Sequence, residues 1–257
     1  DFSLRTSDLD AQDWADLIGV NLVRDPQGML LGDVLDMVTN QGWTDSAGRV
    51  QQPKSDFELR DLTNCIEQGR SPLHRDDVAR ALTRTIENWN RQNLFRKDGT
   101  TMTDLVKDGS LSILMLPQRI GHDLRRVITR ALIRRLLKER EAASQIRQRL
   151  DVENLSPSDR TVLENKIGHL APKTILAIDE AQELLGDDAG EAREALEDFC
   201  LLGRNYGLSL ILATQRPTAA AISAKVRAQV DTYFIHRLLT QDDIQITNQN
   251  LISQLPD

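Results

Sequence analysis

TILAIDEAQELL, residues 174–185, is the stretch on which the reading of this chain turns. An apolar run ends there in two adjacent carboxylates, Asp179 and Glu180. A short apolar run bounded by polar residues reads as a buried strand of a parallel sheet. The two acids then stand at the carboxyl end of that strand, the edge where open α/β sheets gather their ligands. Two readings fit. Asp179 can cap a helix that starts at Glu180, or the pair can serve a metal ion and a water.

The second reading has definite physics. Mg²⁺ takes hard oxygen ligands and keeps most of its waters, so one carboxylate suffices to hold it through them. Four aliphatic residues followed by Asp-Glu have the spacing of a Walker B element. Asp179 then serves the ion, and Glu180 orients an attacking water.

Working outward, LSLILATQRP (208–217) ends a second apolar run with Thr214 and Gln215. The amide of Gln215 either bonds loop backbone or reads a γ-phosphate and its water. Between the two runs, LLGRNYGLSL (201–210) places Arg204 just past the intervening helix. A cation there either favours the helix dipole or reaches a neighbouring subunit's nucleotide and offsets charge that develops in phosphoryl transfer.

The surrounding pattern is strand, helix, strand. SLSILML (110–116) reads as a buried strand stopped by Pro117. A helix of about 20 residues follows from Asp123, with Leu124, Val127, Ile128, Ala131 and Leu132 as its apolar stripe. Ser156-Pro157 opens another helix that Gly168 ends, and residues 190–203 form a third. TYFIHRL (232–238) reads as a further strand. Alternation of this kind implies right-handed crossovers and a largely parallel sheet.

The amino-terminal part differs. Residues 8–19 read as a helix capped by Asp10 and ended by Gly19. Residues 26–105 read as a helical segment, with a capping box from Ser55 to Glu58 and an apolar face of Val78, Leu82, Ile86 and Trp89.

Composition sets limits. Hydrophobic residues are 40% of the 257, enough for a core, while aromatics are 4%, which fits aliphatic helix–sheet packing. No apolar stretch is long enough to span a membrane. Cys65 and Cys200 lie far apart without metal spacing and read as reduced core thiols in the cytosol. The net charge of −7 argues against a general coat for nucleic acid. Residues 119–149 are locally basic, either as the solvated face of a long helix or as a nucleic-acid patch.

TILAIDEAQELL, LLGRNYGLSLILATQRP and ISAKVRAQVDTYFIHRL together resemble the second half of a HerA/FtsK-type hexameric ATPase, nearest the HerA branch. The likeness is closest over about 170–240 and extends back to about 106. It implies an α/β fold: a RecA-like P-loop NTPase core with a largely parallel sheet flanked by helices, plus a helical insertion. Residues 1–25 would be a connecting part of that core, 26–105 the insertion, and 106–257 the core with its Walker B and sensor strands. By carry-over, Asp179 holds Mg²⁺ through water, Glu180 is the catalytic base, Gln215 the γ-phosphate sensor and Arg204 a finger acting in trans. Arg227 is a candidate for a phosphate or subunit-interface contact. The cofactors implied are ATP and Mg²⁺. The partners implied are further copies in a hexameric ring, double-stranded DNA, and a nuclease or an NAD-consuming antiviral effector. The expected location is cytoplasmic, with no membrane.

One element of that family is missing. Its phosphate-binding loop, G-x-x-x-x-G-K-[ST], needs a Gly-Lys pair, and the chain has none. The loop then lies upstream of Asp1, or the ATPase is degenerate; the start at Asp rather than Met favours the first. Two other readings keep the same strand tips: a motor moving protein in type IV secretion or conjugation, and a ring scaffold that no longer hydrolyses nucleotide.

Overall fold

A computed structural model describes residues 2–69, 76–91, 94–116, 121–186, 189–215, 222–236 and 244. The chain divides into two compact units, Asp1–Thr101 and Met102–Asp257.

The first unit packs helices α1 (Ala11–Ile18), α2 (Pro26–Asp36), α3 (Leu59–Gln68) and α4 (Asp76–Arg91). Two short ladders fasten its loops: β1 (Leu4–Arg5) pairs in parallel with β4 (Phe95–Arg96), and β2 (Trp43–Thr44) pairs antiparallel with β3 (Val50–Gln51). At the start of α1, Asp10 and Asp13 exchange backbone-to-carboxylate bonds of 2.9 Å each, a reciprocal capping box. Gly19 closes the helix at φ 73°, a left-handed position that suits glycine. The capping box expected from Ser55 to Glu58 lies three residues later. The chain turns helical only at Leu59, and Glu58 N–H donates to Asp61 at 2.9 Å.

The few aromatics of the chain are concentrated here. Trp14 sits at the centre, with ring centroids 5.2 Å from Phe95, 5.8 Å from Trp89 and 6.3 Å from Phe57. Leu31, Leu62, Leu82 and Ile86 are fully buried in the same unit. Residues 1–25 thus lie with the helices of 26–101. Ser71-Pro72, a sequence signal for the opening of a helix, lies outside the described residues.

The second unit is mixed α/β and rich in helix. It comprises α5 (Met102–Leu105), α6 (His122–Val152), α7 (Pro157–Gly168), β5 (Thr174–Ile178), α8 (Gln182–Leu185), α9 (Glu191–Leu202), β6 (Leu208–Leu212) and α10 (Ala224–Arg227). β5 and β6 pair in parallel, from Thr174↔Leu208 to Ile178↔Leu212. Leu176, Ile178, Leu210 and Leu212 pack against a core that includes Ile133, Leu136, Leu185, Leu196 and Phe199. The alternate side chains, Ile175 and Ile211, are 67% and 57% exposed. The strand read as buried on both faces is therefore covered on one.

Two other readings change. Residues 110–116 form no strand, and Leu111, Ile113 and Met115 are exposed. Residues 232–236 likewise carry no ladder, while 237–238 lie outside the described residues. An apolar run records a tendency to be buried; a ladder also needs a hydrogen-bonding neighbour, and among the described residues only β5 and β6 supply one to each other in this unit. The helix after Gly121 is longer than expected, running 31 residues from His122 to Val152. Its cations are divided between a solvated face and buried or paired positions. Arg130 and Arg140 are buried, and Arg125 pairs with Glu183 at 2.9 Å. Arg126 donates to the Glu183 carbonyl at 3.1 Å, and Arg130 pairs with Glu191. Arg125, Arg126 and Arg130 thus fasten α6 to α8 and α9, while Arg134, Lys138, Arg147 and Arg149 are exposed. No described helix is long and apolar enough to cross a membrane.

Candidate functional site at the strand tips

The parallel register places the ends of β5 and β6 side by side. Past the last ladder pair, Ala213 N–H donates to Ile178 O and Ala181 N–H to Ala213 O, each at 2.9 Å. These two bonds hold Asp179 and Glu180 against Thr214 and Gln215. The Gln215 amide donates to Glu180 Oε1. Gln182 Nε2 donates to Glu180 Oε2 at 2.5 Å, and Thr214 Oγ1 donates to Gln182 Oε1 at 2.6 Å.

Glu180 is the one described non-glycine residue at positive φ, 52°. A side chain in the left-handed region is strained by about 1–2 kcal/mol, so the surrounding bonds must hold it there. Asp179 is exposed. Its Oδ1 accepts from Glu180 N–H at 2.9 Å. It does not cap a helix from Glu180: α8 begins at Gln182, its N-cap is Ala181, and no side chain bonds that end.

Arg204 lies at the other edge of the sheet. It is exposed, in a 3-10 turn from Gly203 to Tyr206 that Gly207 closes at φ 74° before β6 begins. A five-residue strand separates that edge from the tips, a length of about 17 Å. Arg204 therefore does not reach the Glu180 carboxylate of its own chain. Arg227 ends α10 and is half-buried, with Nη1 enclosed and lacking a hydrogen-bond partner. Tyr233 Oη donates to its carbonyl at 3.4 Å. No hydrogen bond or ion pair among the described residues joins Arg227 to Glu180 or Gln215.

α10 is fixed by a charged cluster around Glu197 of α9. Lys225 reaches Glu197 at 3.0 Å and Arg193 reaches it at 3.1 Å. Burial pushes the Glu197 carboxyl up, but hydrogen bonds from Ser223, Lys225 and Arg193 outweigh it and hold the group below the usual value.

For a metal ion, the described residues hold no cluster of three or more acidic, His or Cys ligands. A lone exposed carboxylate at a strand tip is a donor set for Mg²⁺ held mostly through water and substrate oxygens. Asp179 fits that outer role and no closer one.

Sequence reasoning missed Gln182 and gave Thr214 no role. The available signal was position: Gln182 stands two residues after Glu180, where a polar side chain at a helix start can turn back to the strand tips.

The chain that carries these parallel strands, with an acid pair and an amide at adjacent tips, is distantly similar to two DNA translocases. It is 23% identical over 155 residues to the DNA translocase SftA of Bacillus subtilis (strain 168), a match covering 58% of this chain and 16% of SftA. It is 26% identical over 148 residues to the DNA translocase FtsK of Treponema pallidum (strain Nichols), covering 55% of this chain and 18% of that protein. The matches thus span less than a fifth of either relative. No protein-family model matches the chain.

Proposed function

We propose that the chain is part of an ATP-driven ring motor that translocates on double-stranded DNA, of the HerA/FtsK type and nearer the HerA branch. The observation that carries this reading is the contact between Glu180 and Gln215 from two separate parallel strand tips. The similarity to two DNA translocases supports it. In this reading residues 106–257 belong to a RecA-like core, 26–105 are a helical insertion and 1–25 a connecting part.

The roles follow from placement. Glu180 accepts the proton of the attacking water and orients it. Gln215, now bonded to Glu180, exchanges that bond for one to the γ-phosphate and so reports the nucleotide. Asp179 would hold Mg²⁺ through water, and the ion would supply neutralisation of phosphate charge. Arg204 faces outward at the opposite edge and serves the nucleotide of an adjoining subunit in a hexamer, while Arg227 is a candidate for that interface or for a phosphate. DNA would be held through its phosphates. A nuclease or an NAD-consuming effector is the proposed partner, the setting is cytoplasmic, and the duty is DNA end processing or antiviral defence.

The test uses the full-length protein, because this chain has no Gly-Lys pair for a phosphate cradle. Glu180→Gln is expected to bind ATP normally and lose hydrolysis by at least about a hundredfold. Duplex DNA is expected to stimulate the unmodified protein. Hydrolysis without DNA stimulation would favour a motor for secreted protein, and binding without hydrolysis in the unmodified protein would favour a scaffold.

A further inference from the structure

We propose that Gln182 is a positioning residue that couples the Glu180 carboxylate to the tip of β6; this rests on the reading of Glu180 as the base. The Gln182 amide is used at both ends, donating to Glu180 Oε2 at 2.5 Å and accepting from Thr214 Oγ1 at 2.6 Å. A carboxamide can do both at once; a carboxylate only accepts and an ammonium only donates. Glu180 Oε1 is taken by Gln215. Thr214 and Gln215 are consecutive, so both oxygens of Glu180 are tied to the same tip, one directly and one through Gln182.

Backbone preference does not set the aim of this carboxylate, because φ at Glu180 is 52° and must itself be held. The support for Gln182 is firm: it opens α8, whose Leu184 and Leu185 are buried. When Gln215 leaves Glu180 for a phosphate, Gln182 remains the side chain that restrains the base, and Thr214 relays any shift of the β6 tip to it. A base held to within a fraction of an ångström is what general-base chemistry needs.

The experiment combines two readouts on the full-length protein. Gln182→Ala is expected to lower kcat for ATP hydrolysis about tenfold with KM within about twofold, since the interaction aims a group instead of binding substrate. Gln182→Glu, of the same size but unable to donate to Glu180, is expected to fall at least as far. Thr214→Val cuts the other end of the relay and gives a second variant. In the nucleotide-free protein, the Tm losses of Gln182→Ala and Thr214→Val are expected not to add, the double variant melting close to the worse single one. Additive Tm losses overturn the proposal, and so does an unchanged kcat in both single variants. Glu180→Gln keeps the two questions apart: if it hydrolyses ATP normally the base assignment fails, while the unfolding cycle still reads the coupling.

Discussion

The guanidinium of Arg140 holds the carbonyl oxygen of Tyr206 with two nitrogens, at 2.9 and 2.7 Å, and that of Ala171 with the third at 3.0 Å. Ala171 precedes β5 and Tyr206 precedes β6, so one side chain of α6 secures the chain just ahead of each strand. Burial, and then the nearby charge of Arg147, lowers its pKa, yet an arginine remains charged.

Replacing Arg140 by Met should therefore cost about 3 kcal/mol, because two carbonyls lose charged donors in a buried place. Arg140→Lys should recover little of this, since an ammonium lacks the planar fork that spans two acceptors. Urea unfolding of the three proteins measures the differences.

At Glu180 the backbone and the side chain can be separated. Glu180→Gly and Glu180→Ala both remove the carboxylate, but only glycine accepts φ 52° without strain. The glycine variant should be the more stable by about 1 kcal/mol, a reversal of the usual order. Equal stability, or a more stable alanine variant, would show that the left-handed turn is not retained.

The cluster around Glu197 makes stability depend on pH. Its carboxyl is held below the usual value, so its contribution is present above about pH 4.5 and is lost as pH falls through the lower folded value. Glu197→Gln should cost about 2 kcal/mol at neutral pH, where Arg193 and Lys225 lose their shared charge partner. The gap from the unmodified protein should close as pH drops below that range. Thermal melts at stepped pH record it.

Burial pushes the thiols of Cys65 and Cys200 up to about 11, with the charge of Glu197 adding at Cys200. At pH 7 the thiolate fraction is then on the order of 10⁻⁴. A thiol-reactive dye should label the native protein slowly and both cysteines quickly once the chain unfolds. Fast labelling of one of them in the native protein would mean that its cover opens locally.

How much of this is legible in the sequence differs from element to element. Asp10 and Gly19 mark α1 because capping is local chemistry, and Ser156 likewise marks α7, accepting from Asp159 N–H at 3.2 Å. The acid pair and Gln215 stand out because apolar runs end in polar residues at comparable points. Local rules fail where a distant partner decides. Arg140 reads as one more cation on a helix until Ala171 and Tyr206 fold beneath it. Leu111 and Ile113 read as core until a neighbouring strand is asked for. Gln182 gives only the faint signal of its position after Glu180, because its two partners lie on different strand tips.

The separation of Arg204 from Glu180 by the length of β6 carries a genetic consequence. If each catalytic centre draws one half from each of two copies, damage to the halves need not be inherited together. Copies bearing Glu180→Gln and copies bearing Arg204→Ala, inactive alone, would rebuild whole centres wherever they meet in the correct order. Such a mixture would regain a share of turnover that neither parent shows.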